Sequence, residues 1–272
     1  MDAYTMTEEI LEKGKQFFED YTKKLIKTKD FSISDNLQLK RNHSLRVAEL
    51  SAYIADNLAL DEQECQMAQF IGLMHDLGRF PQFEKYQSFD DLKTEDHAAL
   101  SVSILKAEDF FKELSEAEQQ IVMQTIEMHN KLTITSKDKP VILFSQILRD
   151  ADKLDLWELA VSYLKRDGSF GLPSISFNLP KTPGVSETVI KGISLGKTVS
   201  KKDLQSVNDF KLFLMGMVYD LNFKASFQVL NQKQLITKIY DTLPKRDDVI
   251  NVYRQMRLFI ENKFVEQKGN RE

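Results

Sequence analysis

The stretch GLMHDLGRFPQF, residues 72–83, decides how the chain is read. An apolar run ends in a histidine directly followed by an aspartate, and a glycine, an arginine and a proline come next. Adjacent ionisable residues at the edge of a core are costly unless a partner compensates them. The flanking sequence supplies a helix for this pair. Asp61 with Glu64 three residues on is a capping-box signature, and Met67, Ala68, Ile71 and Met74 follow at helical spacing. Gly78 and Pro81 are expected to stop that helix, which puts His75 and Asp76 in its last turn.

Outward from this point the same periodicity recurs. Ile10, Leu11, Phe17, Phe18, Tyr21 and Leu25 mark an amphipathic helix over residues 6–28. A polar loop, KTKDFSISDN, is expected next, and then a helix from His43 to Leu58. Thr94 is expected to cap a helix running to about Leu114, and Ser115 with Glu118 forms a second capping box. Pro140 suits the first turn of a long helix ending near Gly168. Residues 168–200 concentrate glycine and proline and are expected to form a loop or small excursion with short strands. Helical patterning returns from Ser206 to Phe264. Scarce glycine and proline with recurrent helical spacing imply an all-α fold.

Composition sets bounds. The chain has 272 residues, 42% of them apolar and 29% charged, as a soluble globular protein has. A net charge of -4 argues against a protein that coats a nucleic-acid polymer. The single cysteine, Cys65, forms no internal disulfide and suits a reducing compartment. The N-terminal residues lack the basic-then-apolar order of a signal peptide, and no apolar run approaches the ~20 residues of a membrane span. The expectation is a cytoplasmic protein without membrane partners.

The four histidines, His43, His75, His97 and His129, each fall in or beside an expected helix, on or near its apolar face. Asp76 adjoins one of them, and Asp150, Asp152 and Asp155 sit in RDADKLD within another core-like helix. One histidine on an apolar face is usually an ordinary core residue. All four together with buried carboxylates call for a divalent cation, because imidazole and carboxylate are its common mixed ligands. Each gap between them is a helix plus a connection, so the ligands would converge from separate helices. Periodicity alone does not choose between Asp150 and Asp152.

The ordered segments HSLRVA, HDLGRF, DHAALSVSIL, HN and RDADKLD resemble the HD-domain superfamily of metal-dependent phosphohydrolases in its extended H…HD…H…H…D form. That resemblance implies an all-α HD-domain helical bundle at about residues 37–167, carried with a C-terminal helical extension at about 201–268 in a single domain. It implies His43, His75, Asp76 and Asp152 as ligands of a first metal. His97 and His129 would hold a second, with Asp76 shared. The cofactors would be two divalent transition-metal ions drawn from iron, manganese, nickel, zinc and cobalt. ADK in RDADKLD matches the family's signature and favours Asp152, with Asp150 supporting a ligand histidine. The implied activity is hydrolysis of a phosphomonoester or phosphodiester, nucleotides included, by metal-activated water, with Asp76 and Arg79 in the catalytic site. Arg79, Lys153 and Asn130 are the expected substrate contacts, Arg79 as a two-pronged phosphate ligand. Arg46 is expected in an inner ion pair. Two other readings of the same scaffold are a di-iron oxygenase and a non-catalytic ligand-binding module.

Overall fold

The computed structural model describes residues 5–27, 31–167 and 179–266. Among them the secondary structure is helical and no strand occurs. The helices are α1 (Glu8–Lys27), α2 (Phe31–Asn57), α3 (Glu62–Met74), α4 (Arg79–Tyr86), α5 (His97–Lys106) and α6 (Glu116–Met128). They continue with α7 (Lys139–Asp167), α8 (Glu187–Ser194), α9 (Val207–Gly216), α10 (Lys224–Gln232), α11 (Leu235–Tyr240) and α12 (Asp247–Glu266). No helix among the described residues is long and apolar enough to cross a membrane.

Two compact units divide the chain, Met1–Asp155 and Leu156–Glu272, and the boundary falls inside α7. In the first, α2 and α3 lie side by side over most of their length. Gly72 permits this: a Cβ there would meet the Ala48 Cα at 2.9 Å and the Val47 carbonyl oxygen at 3.0 Å. Val47, Ile54, Met67, Phe70, Ile71 and Met74 are buried on these two helices, Phe70 and Met74 on the side of α3 that meets Gly14 of α1. In the second unit α8 packs on α9 and α12, with Val189, Ile193, Leu214, Val249 and Met256 buried. There the Trp157 indole is fully buried and donates to the Leu214 carbonyl at 2.7 Å, so its polar edge is satisfied.

Both capping boxes form, at Asp61–Glu64 and Ser115–Glu118. Three boundaries differ from the sequence reading. The polar segment expected to be a loop is already helical from Phe31, because Asn36 and Leu37 are buried and packing outweighs weak propensity. Pro81 does not end a helix. It sits in the first turn of α4, where a missing N–H costs nothing. Asp96, not Thr94, caps α5, which stops at Lys106 ahead of a short 3-10 turn over Asp109–Glu113. Of the expected excursion at 168–200, residues 168–178 lie outside the described residues, and Glu187–Ser194 is a helix.

Glu118 does more than cap. It is 2% exposed, and its Oε1 accepts from the Thr5 and Met6 backbone N–H groups, each at 2.7 Å. Its Oε2 accepts from the Ser115 N–H at 3.1 Å and from the Thr5 hydroxyl. Burial pushes this carboxyl up, but the donors from Ser115, Thr5 and Met6 outweigh it and hold the group below its ordinary value of 4.5. A carboxyl depressed in the folded state stabilises above the unfolded value, and that contribution fades as pH falls. Glu118→Gln is therefore expected to cost about 1.5–3 kcal/mol at pH 7. The gap from the parent should shrink below the ordinary value of 4.5, where the parent carboxyl protonates. Urea unfolding at the two pH values checks this; an equal gap at both would show that the charge is irrelevant.

Candidate metal centre

Helix ends deliver most of the site. His75 is the residue that closes α3, and His129 closes α6 in the same way. The last carbonyls of a helix lack intrahelical donors. Each of these histidines supplies one: His75 Nδ1 lies 2.7 Å from the Gly72 carbonyl and His129 Nδ1 lies 2.6 Å from that of Ile126. A carbonyl only accepts, so both Nδ1 atoms carry the proton and both Nε2 atoms keep the lone pair. His97 is the first residue of α5, and its Nδ1 is 2.8 Å from Asp91 Oδ2. His43, on α2, has its Nδ1 2.6 Å from Asp155 Oδ2 on α7. Arg46, one turn after His43, donates to both oxygens of Asp155 through Nε and Nη2.

With four Nδ1 atoms anchored, four Nε2 atoms converge on Asp76. That carboxylate is 2% exposed and lies in the turn between α3 and α4. Its Oδ2 is 3.6 Å from the Nε2 of His43 and 3.6 Å from that of His75. Its Oδ1 is 3.3 Å from His97 Nε2 and 3.9 Å from His129 Nε2. Each oxygen thus serves one pair of imidazoles. Asp152 joins the first pair, with Oδ1 3.2 Å from His43 Nε2. Possible ligand atoms fall within 4.8 Å of one another in two sets, His43–His75–Asp152 and His75–Asp76–His129. His75 belongs to both, so the two sets form one continuous centre.

Charge in this pocket is finely set. Burial pulls His75 down, and it lowers His97 and His129 to about 4, keeping their rings neutral. His43 goes the other way: despite burial and Lys40, the carboxylates of Asp152 and Asp155 raise it to about 9. Burial pushes Asp76 up, yet Lys40, His75, Arg79 and His97 outweigh it and hold the group well below the carboxylate range.

The donor set fits a cation. His75 Nε2 is buried without a hydrogen-bond partner, and His43 Nε2 is buried against the carboxylates of Asp152 and Asp76. His97 Nε2 and His129 Nε2 face each other at 3.0 Å. With both protons on Nδ1, that pair is lone pair against lone pair, which only a positive charge between them resolves.

Residues 41–157 match the family model of the HD domain. This segment is an HD domain. HD domains typify a superfamily of metal-dependent phosphohydrolases and bind divalent metals, and the four histidines, Asp76, Asp91, Asp152 and Asp155 all lie inside the matched segment. No curated protein and no solved structure matches the chain.

Other residues of the HD domain sit differently from the sequence reading. Arg79 is 8% exposed, and its Nη1 donates to Gln82 Oε1 at 2.9 Å and to the Phe89 carbonyl and Asp91 Oδ1 at 2.8 Å. It opens α4 rather than continuing α3, and it braces the loop carrying Asp91 instead of reaching outward. Lys153 is buried and donates to the Arg149 carbonyl at 3.2 Å. Asn130 donates to Asp96 Oδ1 at 2.8 Å rather than touching His129. All three candidate substrate contacts therefore bond to protein groups. Asp150 is fully buried, and the carboxylate that orients His43 is Asp155. Phe80, Phe83 and Phe89 are buried in the core, while Tyr86 is exposed. The sequence reading missed Asp91 and Lys40, whose Nζ is 2.7 Å from Asp76 Oδ2. Asp91 lies on a loop with no periodicity to mark it. Lys40 had a visible signal: it sits three residues before His43, on the same helix face.

Proposed function

We propose that the chain is a metal-dependent hydrolase of phosphate monoesters or diesters, nucleotides among them. The observation that carries this reading is the arrangement of four imidazoles, each anchored through Nδ1, around a buried carboxylate whose two oxygens face one pair each. His43, His75, Asp76 and Asp152 would hold one divalent ion, and His97 and His129 would hold a second with Asp76 shared. When bound, such ions lower the pKa of water to near neutrality and offset the charge of phosphoryl oxygens. The protein's own contribution is orientation. Asp155 and Asp91 hold His43 and His97 in the required tautomer, and the Gly72 and Ile126 carbonyls do so for His75 and His129. No side-chain nucleophile is required, and burial pushes the Cys65 thiol up, away from the reactive thiolate. Arg79 acts by positioning Asp91, and through it His97.

The test is to strip the protein with chelator and reload it in turn with manganese, iron, nickel, cobalt or zinc. Assays on phosphomonoesters, phosphodiesters and nucleotides are then run with and without dioxygen. Activity is expected only in loaded protein and at equal rates under argon and air. Turnover that requires dioxygen would replace this reading with an oxygenase. Silence across the panel with every metal would leave a binding module.

A further inference from the structure

Lys40 leaves α2 one turn before His43, from the same side of the helix. Its Nζ lies 2.7 Å from Asp76 Oδ2, closer than any of the four imidazoles comes to that carboxylate. Its side chain is 17% exposed, and the ammonium sits 5.5 Å from the centre of the Phe89 ring. The oxygen it touches is the one that faces His43 Nε2 and His75 Nε2. A cation held by those two imidazoles would claim the same oxygen, and an ammonium and a divalent ion on one oxygen repel each other. The second cation near Asp76 cannot give way in the same manner. Arg79 Nε is 3.5 Å from Oδ1, but its Nη1 is fixed by Gln82, Phe89 and Asp91.

We propose that Lys40 is a tethered counter-ion with two positions: parked on Asp76 while no divalent ion is held there, and turned to the anionic group of the substrate once one is. This rests on the hydrolase reading above. Asp76 is buried, so its carboxylate needs a compensating positive charge in the absence of metal, and the Lys40 ammonium at 2.7 Å supplies it. When an ion takes Oδ2, the ammonium is released, but its backbone stays fixed in α2 beside His43. The neighbouring carboxylates are already engaged: Asp152 with His43, and Asp155 with His43 and Arg46. An anionic group bound over the ions would offer the released ammonium a new partner. A lysine suits the task because its ammonium is a compact charge on a flexible stem, able to serve two partners in turn.

The experiment compares wild type with Lys40→Met and Lys40→Gln, so that one poorly folding variant does not decide the matter. Chelator-stripped protein is titrated with manganese in a calorimeter, and the manganese-loaded protein is then titrated with inorganic phosphate. Losing one charge-assisted hydrogen bond should tighten the first manganese site by about ten- to hundred-fold. The melting temperature of the stripped protein should fall, while that of the loaded protein stays unchanged. Phosphate should bind the loaded variants at least about ten-fold more weakly. Manganese affinity that is unchanged or weaker in both variants overturns the parked position. Phosphate affinity equal to wild type overturns the second position. A protein that shows both shifts yet hydrolyses no ester sinks the hydrolase reading and leaves the assignment of Lys40 intact.

Discussion

Asp76→Asn is expected to empty the centre while leaving the helices in place. Asparagine keeps the shape of the side chain and removes its charge. In the parent, one carboxylate faces all four Nε2 atoms at 3.3–3.9 Å, so both halves of the centre lose a shared ligand at once. Loss of hydrolysis should go well beyond the about 10–100-fold typical when a supporting partner of a ligand is removed. Metal analysis should find neither ion retained through gel filtration. Stability should also fall, because Lys40 loses its buried anion. Breaking a fully buried pair costs about 3–5 kcal/mol. Here the cost should be smaller, since Lys40 is 17% exposed and can turn to water. A variant that keeps two ions would show that the imidazoles and Asp152 suffice.

Gly78→Ala is expected to do comparable harm without touching any ligand. A Cβ at this position would lie 2.2 Å from the His97 carbonyl oxygen, 2.6 Å from Leu100 Cβ and 2.8 Å from the Ser101 backbone nitrogen. Two of these are main-chain atoms, which no side-chain rotation relieves. The first turn of α5 must move, and His97 moves with it. The same shift strains a small network in which Ser101 Oγ accepts from the Gly78 N–H at 2.8 Å and donates to the His75 carbonyl at 2.8 Å or the His97 carbonyl at 2.9 Å. Overpacking of this kind costs about 1–3 kcal/mol, and more where backbone is hit. Thermal unfolding should show that loss, and metal stoichiometry should drop because His97 no longer faces His129. Unaltered stability with full metal content would mean that α5 can slide freely at this contact.

Much of this was legible because it is local. The capping boxes at Asp61 and Ser115 are written in residue pairs three apart, and the structure has both. That the four histidines could converge followed from gaps long enough to hold a helix and a connection. Features that depend on packing were harder to read. Phe31 starts a helix through polar residues because Leu37 is drawn into the core. Pro81 looked like a stop and is a start, since a proline costs a helix nothing in its first turn. Arg79 reaches outward only on an α3 that runs on to Gly78, whereas α3 ends at Met74 and Arg79 opens α4. With the chain turning at Asp76, the guanidinium folds back on Gln82, Phe89 and Asp91. The choice of Asp155 as the partner of His43 could not come from spacing, since three acidic residues share RDADKLD and only the crossing of α2 and α7 selects among them.

The anchoring of the imidazoles divides them into two classes with different exposure to genetic change. His75 and His129 are held by main-chain carbonyls of the very helices they terminate. The acceptor is main chain, so no side chain at position 126 has to be kept for the bond, and the glycine at position 72 is required by the approach of α2 rather than by the bond itself. His43 and His97 are held by the side chains of Asp155 and Asp91, which one base change can remove. Half of the centre is therefore insured by the backbone against drift. The other half is open to tuning, because a carboxylate makes its imidazole a stronger base than a carbonyl does and an amide in its place would weaken it. Divergence of ligand strength among descendants of this chain is expected to begin at residues 91 and 155, with the tautomers of His75 and His129 carried along unchanged.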